Sequence, residues 1–431
     1  MIHRPSRRDA LKTAAKLAVA GSLGADYTAV ARAKTPAGLG LDTFAQIDWV
    51  LRQATNAEEV SGVVALAATD NGIVYEGVFG RRRLHAAPGM TRDTVFRVGS
   101  MVKLITSVAA LQLVEQDKLS LDAPVPDIDP AIGSPQVLDG FDAQGMPQLR
   151  PAKRPISLRH LLTHTSGFSY RLWDAKAARY ASGIDRLPAA ERTRAPHTPL
   201  MFDPGERWQY GPSIDWVGRI VESISGEPID AYFRKHILDP LGMKDTGFVL
   251  STEQSAREAS LHKRGPNGPL AAQSIERQQP GRKSFSGGGG IYSTAPDYLR
   301  LIRMLLGSGS LDGVPILRPE TVALMGENQI GKIEVGMLRT TVPALSNDVN
   351  FFPGISSKWG FGHMINMEAV KDGRSAGSMT WGGLFNTYYW IDPRRRITAV
   401  FMTQVLPFAD NRVLWIYNQF ERGIYEAVKA S

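Results

Sequence analysis

The chain of 431 residues contains no cysteine, so disulfides and thiolate chemistry are excluded from the start, although this says nothing about the compartment. It has no apolar run long enough to cross a bilayer, so no membrane-spanning helix is expected. It also lacks a dense basic run beyond its first residues. The formal charge is +8, but residues 1–33 hold Arg4, Arg7, Arg8, Lys12, Lys16 and Arg32 against Asp9 and Asp26. That leader carries +4 and leaves +4 for all the rest, so nucleic acid is not an expected partner. An apolar fraction of 43% and a charged fraction of 21% are those of a globular protein, and the length suffices for two or three domains.

The leader reads Ser6-Arg7-Arg8-Asp9-Ala10-Leu11-Lys12, then an alanine-rich stretch to Gly24, then Ala29-Val30-Ala31-Arg32-Ala33. Paired arginines, an apolar middle and small residues at cleavage spacing resemble a twin-arginine export signal over residues 1–33. Ala10 departs from the pattern, because such signals usually carry a larger apolar residue there. The expected address is the periplasm or the exterior, with the twin-arginine machinery as a partner before maturation.

Residues 41–56 show helical apolar spacing through Phe44, Ile47, Val50 and Leu51. Val63-Val64-Ala65-Leu66-Ala67, the turn Asp70-Asn71-Gly72 and Ile73-Val74-Tyr75 then form a β-hairpin pattern. Near the other end, stretches centred on 361–367, 386–391 and 397–404 read as strands, and a helical pattern runs from Asn411 to Val428. Between these β-rich ends, about 100–325 is mainly helical with many Pro and Gly breaks. The economical fold is α+β, an antiparallel sheet built from both ends, flanked by the terminal helices and interrupted by an inserted helical region. The sheet domain is assigned to residues 40–100 and 326–431, and the helical domain to 101–325.

An activated serine is suggested at three places. Ser100-Met101-Val102-Lys103 is an S-x-x-K pattern that opens an apolar helix, with Leu104, Ile105, Val108 and Leu111 following. A helix start sets backbone N–H groups and a positive dipole beside the hydroxyl, and Lys103 one turn on shares that face. Burial among apolar neighbours would make Lys103 a proton acceptor, whereas a solvated Lys103 would leave Ser100 a mere helix cap. Ser260-Leu261-His262-Lys263 runs into Gly265-Pro266-Asn267-Gly268-Pro269 and is assigned to a surface loop. Gly373-Arg374-Ser375-Ala376-Gly377 follows a turn, and strand-like sequence comes after it, which suits a hairpin connection and not a nucleophile elbow. His160 and His164, four apart, have the spacing of two zinc ligands, but no Glu follows His160 and no third ligand suggests itself. Packing is the expected role of both, with no metal and no organic cofactor.

Ser100-Met101-Val102-Lys103 gains weight from its companions. These are His160-Leu161-Leu162-Thr163-His164-Thr165-Ser166-Gly167, Pro204-Gly205-Glu206-Arg207-Trp208-Gln209-Tyr210, the glycines of 286–293 and Trp381-Gly382-Gly383. In that order and spacing the chain resembles the class C β-lactamase superfamily of serine hydrolases, and most closely its family VIII carboxylesterases, from about residue 40 to 428. The resemblance implies an α/β domain and an all-helical domain with the active site between them. It implies Ser100 as nucleophile and Lys103 and Tyr210 as the proton-handling pair, without saying which takes the serine proton. It also implies an oxyanion site made by the backbone N–H groups of Ser100 and Leu384, the latter directly after Trp381-Gly382-Gly383.

Two departures bear on substrate. Pro212 stands where β-lactamases carry an asparagine that contacts the substrate amide, and Trp381 stands where they carry a lysine that holds the substrate carboxylate. An apolar wall in place of a cation favours neutral esters, and some of Phe385, Tyr388, Tyr389 and Trp390 are expected to line it while strand alternation sends part of the cluster into the core. The expected function is a carboxylesterase acting on small-molecule esters of short to medium chain. Its rivals are a β-lactamase or D,D-peptidase, an acyltransferase, and a non-catalytic sensor domain on the same fold. The leader generates a prediction of its own: replacing Arg7 and Arg8 by lysine leaves the precursor unexported on fractionation of the host cell, and export at the original level would refute a twin-arginine route.

Overall fold

The computed structural model describes residues 43–125, 132–185, 198–265, 268–274, 277, 281–282 and 284–430, so the leader with its expected export signal lies outside the described residues. The first element is helix α1 (Thr43–Asn56), which buries Ile47, Val50 and Leu51 on one side. The hairpin follows as β1 (Gly62–Thr69) and β2 (Gly72–Arg83), turning at Asp70-Asn71, and β3 (Ala86–Gly89) pairs with β2. The chain then leaves the sheet and returns as β4 (Ser357–Trp359), β5 (Met364–Asn366), β6 (Ser378–Gly383), β7 (Thr387–Asp392) and β8 (Ile397–Met402). Strand order is β4-β5-β6-β7-β8-β1-β2-β3, with every neighbouring pair antiparallel.

The two ends of the chain meet at β1 and β8, where Leu66 sits opposite Val400 and Ala67 opposite Ala399. Helices cover both faces, so the central strands are buried on each side and carry apolar residues without alternation. This explains why β6 was not among the strand-like stretches with clear boundaries: Ser378-Met379-Thr380-Trp381-Gly382-Gly383 is wholly buried yet mixes small polar residues with rings. On one face helix α4 (Ala295–Leu306) packs against β1, β7 and β8. Its start is set by Thr294, whose hydroxyl accepts from the Asp297 N–H at 3.3 Å, with Pro296 in the first turn. It therefore belongs to the sheet layers although it falls within 101–325. On the other face helix α5 (Asn411–Ala430) lies against α1 and sets Tyr417 and Phe420 on Phe401 and Trp390. Helices α2 (Val102–Glu115) and α3 (Ser213–Ser225) pack on each other away from the sheet.

Residues 261–264 correct an expectation. Leu261–Arg264 is a strand, parallel to Val405–Leu406 and antiparallel to Leu270–Gln273, and His262 within it is buried. Its antiparallel pairing with Leu270–Gln273 makes it one arm of a hairpin and not part of an open surface loop. Ser375 does lie in the connection between antiparallel β5 and β6, with a strand and no helix after it.

That connection also clamps α5 to the sheet. Arg374, 1% exposed, donates from Nε to Glu421 Oε1 at 2.9 Å and from Nη2 to the Tyr417 hydroxyl at 2.9 Å. Glu421 is itself 4% exposed, so neither charge has water as an alternative partner. Arg374→Met leaves the Glu421 carboxylate buried without its cation, and urea unfolding will show a loss of about 3–5 kcal/mol. A loss under about 1 kcal/mol, the range of an exposed pair, would show that Glu421 finds solvent on its own.

Candidate active site

Ser100 sits in a single 3₁₀ turn, Gly99–Met101, that leads directly into α2. The turn starts from Gly99 with φ +51, and a Cβ there would lie 2.8 Å from the Leu384 amide nitrogen. Glycine is needed on both counts, because any other residue would strain the backbone and push β6 away. The close approach puts the Leu384 amide beside the serine turn.

Lys103 is 1% exposed, and its Nζ lies 3.3 Å from Ser100 Oγ. The solvated alternative for this lysine is thereby removed. Its other partners are the Gly288 carbonyl at 2.6 Å and the hydroxyl of Tyr170 at 3.3 Å. Nζ also lies 5.1 Å from the centre of the Tyr210 ring. The Tyr210 hydroxyl, however, accepts a hydrogen bond from the Trp381 indole N–H at 3.2 Å, so the tyrosine hydroxyl bonded to Lys103 is that of Tyr170.

Tyr170 is a site residue that sequence reasoning missed. It follows the His164-Thr165-Ser166-Gly167 segment by only a few positions, but no spacing rule singles it out. Its place is set by backbone pairing: Gly205 donates to Thr165 O at 2.7 Å, Gln209 to His164 O at 3.0 Å, and Tyr170 to Tyr210 O at 3.2 Å. These bonds run residues 164–170 alongside 205–210 and bring both phenols to one lysine. Tyr170 in turn donates to Asp215 Oδ2 at 2.9 Å, on the first turn of α3. Burial and the nearby Asp215 charge hold the Tyr170 phenol well above its usual pKa, so it keeps its proton.

His160 and His164 do not converge on a metal site. His160 closes a capping box with Ser157 at the start of helix Leu158–Leu162. His164 is buried under the site, its ring 4.7 Å from that of Tyr210 and 5.1 Å from that of Trp359. Burial keeps His164 well below its usual pKa, and it stays neutral as a packing group beneath Tyr210. Among the described residues no group of three or more His, Asp or Glu stands close enough to hold a metal ion.

Trp381 is 2% exposed and lies between Tyr210 and a small neighbouring cleft. Its N–H engages Tyr210, while its ring lines the cleft with Trp208, Leu338, Val349, Phe351 and Met364. It is thus more than the apolar wall expected, since its polar edge also holds the Tyr210 hydroxyl. Tyr388, Tyr389 and Trp390 are the part of that cluster that belongs to the core: the two faces of β7 send them onto Tyr417 and Tyr298. The cleft's second wall comes from the segment after α4, around 335–351, which no periodic pattern marked.

Residues 47–423 match the Beta-lactamase family. The chain belongs to that family. It is 32% identical to the lovastatin esterase of Penicillium rubens over 89% of this chain and 99% of the relative. It is 31% identical to the monacolin J acid methylbutanoyltransferase of Aspergillus terreus, over 90% of this chain and 97% of the relative. Among solved structures, a variant of simvastatin synthase from Aspergillus terreus superposes with a TM-score of 0.79 at 30% identity, covering 90% of this chain and all, 100%, of the other. EstCE1, a hydrolase with promiscuous acyltransferase activity, superposes with a TM-score of 0.68 at 25% identity, covering 89% and 98%. The β-lactamase-family fold and these relatives establish an enzyme of the hydrolase and acyl-transfer kind.

Of the candidate serines only Ser100 has a buried amine within reach. A fluorophosphonate serine probe will label the wild-type protein, Ser260→Ala and Ser375→Ala, and will not label Ser100→Ala. Labelling of folded Ser100→Ala at the wild-type rate would remove Ser100 from the chemistry.

Proposed function

We propose that this β-lactamase-family protein is a serine carboxylesterase, hydrolysing small neutral esters of short to medium chain through an acyl-enzyme on Ser100. The observation that carries the reading is the pairing of Ser100 Oγ with the buried Lys103 Nζ at 3.3 Å, next to an aromatic cleft. Ser100 gives its proton to the Lys103 and Tyr210 pair as Oγ attacks the ester carbon. The carbonyl electrons move to oxygen, where the N–H groups of Ser100 and Leu384 stabilise them. The pair returns the proton to the alkoxide as the ester C–O bond breaks, and then draws a proton from water for deacylation. Export by the twin-arginine route belongs to the same proposal and rests on the leader sequence.

The cleft supports a neutral substrate. Among the described residues none that lines it carries a charge, and Pro212 and Trp381 replace the amide and ammonium groups that would hold a β-lactam. A carboxylate set against Trp381 loses hydration and gains no partner. An alkyl chain packed against these rings gains about 0.8 kcal/mol for each methylene it buries. A second reading, transfer of the acyl group to an alcohol in place of water, is favoured by relatives named as methylbutanoyltransferases.

A panel of p-nitrophenyl esters of graded length, run with and without an added alcohol and beside a penicillin, a cephalosporin and a D-Ala-D-Ala peptide, separates these readings. The expected result is a kcat/KM that rises from acetate to a medium chain and far exceeds that for either β-lactam. Formation of a new ester in proportion to added alcohol would make the transferase reading primary. A β-lactam turned over as fast as the best ester would replace both with a lactamase.

A further inference from the structure

We propose that Tyr170, anchored by Asp215 and through it by Ser286, is a positioning residue that turns the Lys103 lone pair onto Ser100. This rests on the acyl-enzyme reading and specifies how its base is aimed. A neutral lysine amine has two N–H bonds and one lone pair, and Nζ here has three neighbours: Ser100 Oγ at 3.3 Å, Tyr170 Oη at 3.3 Å and Gly288 O at 2.6 Å. The Gly288 carbonyl can only accept. Tyr170 would ordinarily be ambiguous, because a phenol both donates and accepts. Its proton is committed to Asp215 Oδ2 at 2.9 Å, so towards Lys103 it too can only accept. Both N–H bonds are therefore claimed, and the lone pair is left facing the Ser100 hydroxyl.

The anchor is built on both sides. Asp215 Oδ1 accepts from the Ser286 hydroxyl, and Ser286 Oγ accepts from the Gly288 N–H at 3.0 Å. Since Gly288 O takes the Lys103 proton, the bonds close a ring: Lys103, Tyr170, Asp215, Ser286, Gly288 and back to Lys103. A Cβ on Gly288 would sit 2.1 Å from Asp215 Oδ2, which accounts for one glycine of the Gly287–Gly290 run. The same ring serves the next state. When the proton moves from Ser100 Oγ to Nζ and the Oγ–C bond forms, the new ammonium has three N–H bonds and three acceptors, and the Asp215 carboxylate lies one phenol away from its charge. When the leaving alkoxide takes that proton and the C–O bond breaks, the amine returns to its aimed neutral form.

Tyr170→Phe removes only the hydroxyl and keeps the ring against Trp173 and Tyr210, at 6.1 and 5.5 Å. It should lower both the rate of fluorophosphonate labelling and kcat for p-nitrophenyl esters by about 10-fold to 10²-fold, with KM within about twofold. Asp215→Asn should give a loss of the same kind, and the double variant no more than the worse single one. Ser286→Ala, which loosens only the far end of the ring, should give a smaller loss of the same sign, and it carries the test if thermal unfolding shows Tyr170→Phe to be misfolded. Labelling of folded Tyr170→Phe at the wild-type rate, a change confined to KM, or losses that multiply in the double variant would each overturn the positioning role. Activity surviving in Ser100→Ala would instead overturn the acyl-enzyme reading itself, so the two failures are distinct.

Discussion

The burial of one lysine constrains the rest of the site. An ammonium or amine removed from water costs several kcal/mol unless each polar bond finds a partner, and Lys103 is buried to 1% exposure. Its partners come from distant stretches of chain: Ser100 from its own helix turn, Tyr170 from the loop after Gly167, Gly288 from the glycine run before α4. The fold must hold all of them at hydrogen-bond distance from Nζ. The serine turn, the loop after Gly167 and the glycine loop are tied together at that atom.

Around the lysine the chain uses rings as rigid spacers. Tyr210 touches Tyr170, Trp173, His164 and Trp381, and Trp381 touches Trp359, Trp208 and Phe351. Such contacts fill volume at low entropic cost and fix the direction of the few polar tips among them. The indole N–H of Trp381 and the phenol of Tyr210 satisfy each other at 3.2 Å, so a residue whose ring faces the cleft also sets a hydroxyl of the catalytic cluster. A change at Trp381 that reshapes the cleft therefore also removes a partner of the Tyr210 hydroxyl.

Much was legible because it is local. The hairpin at Asp70-Asn71-Gly72, the terminal helices and the Ser100-Met101-Val102-Lys103 pattern each depend on a few adjacent residues whose backbone preferences and side-chain spacing say what they form. Both S-x-x-K patterns were visible, and a Gly-Pro run after Ser260 was enough to deny that one a helix, though not to reveal that Leu261–Arg264 is a buried strand. Strand burial there is conferred by Val405–Leu406 and Leu270–Gln273, one of them about 140 residues away. β6, buried on both faces, had no alternation to display.

The amino-acid sequence by itself determined the family, the antiparallel sheet drawn from both ends of the chain, and the serine with its lysine, because those rest on short-range spacing and ordered motifs. Only the tertiary structure decided which hydroxyl meets Lys103. Tyr170 and Tyr210 are the same chemical group, forty positions apart, and the motif around Tyr210 pointed to that tyrosine alone, whereas the hydroxyl bonded to Lys103 is that of Tyr170. The choice follows from the backbone pairing of 164–170 with 205–210 and from Asp215 and Trp381, each taking hold of a different phenol oxygen. A hydrogen bond is set by angstroms and angles between groups that the chain brings together only when it folds.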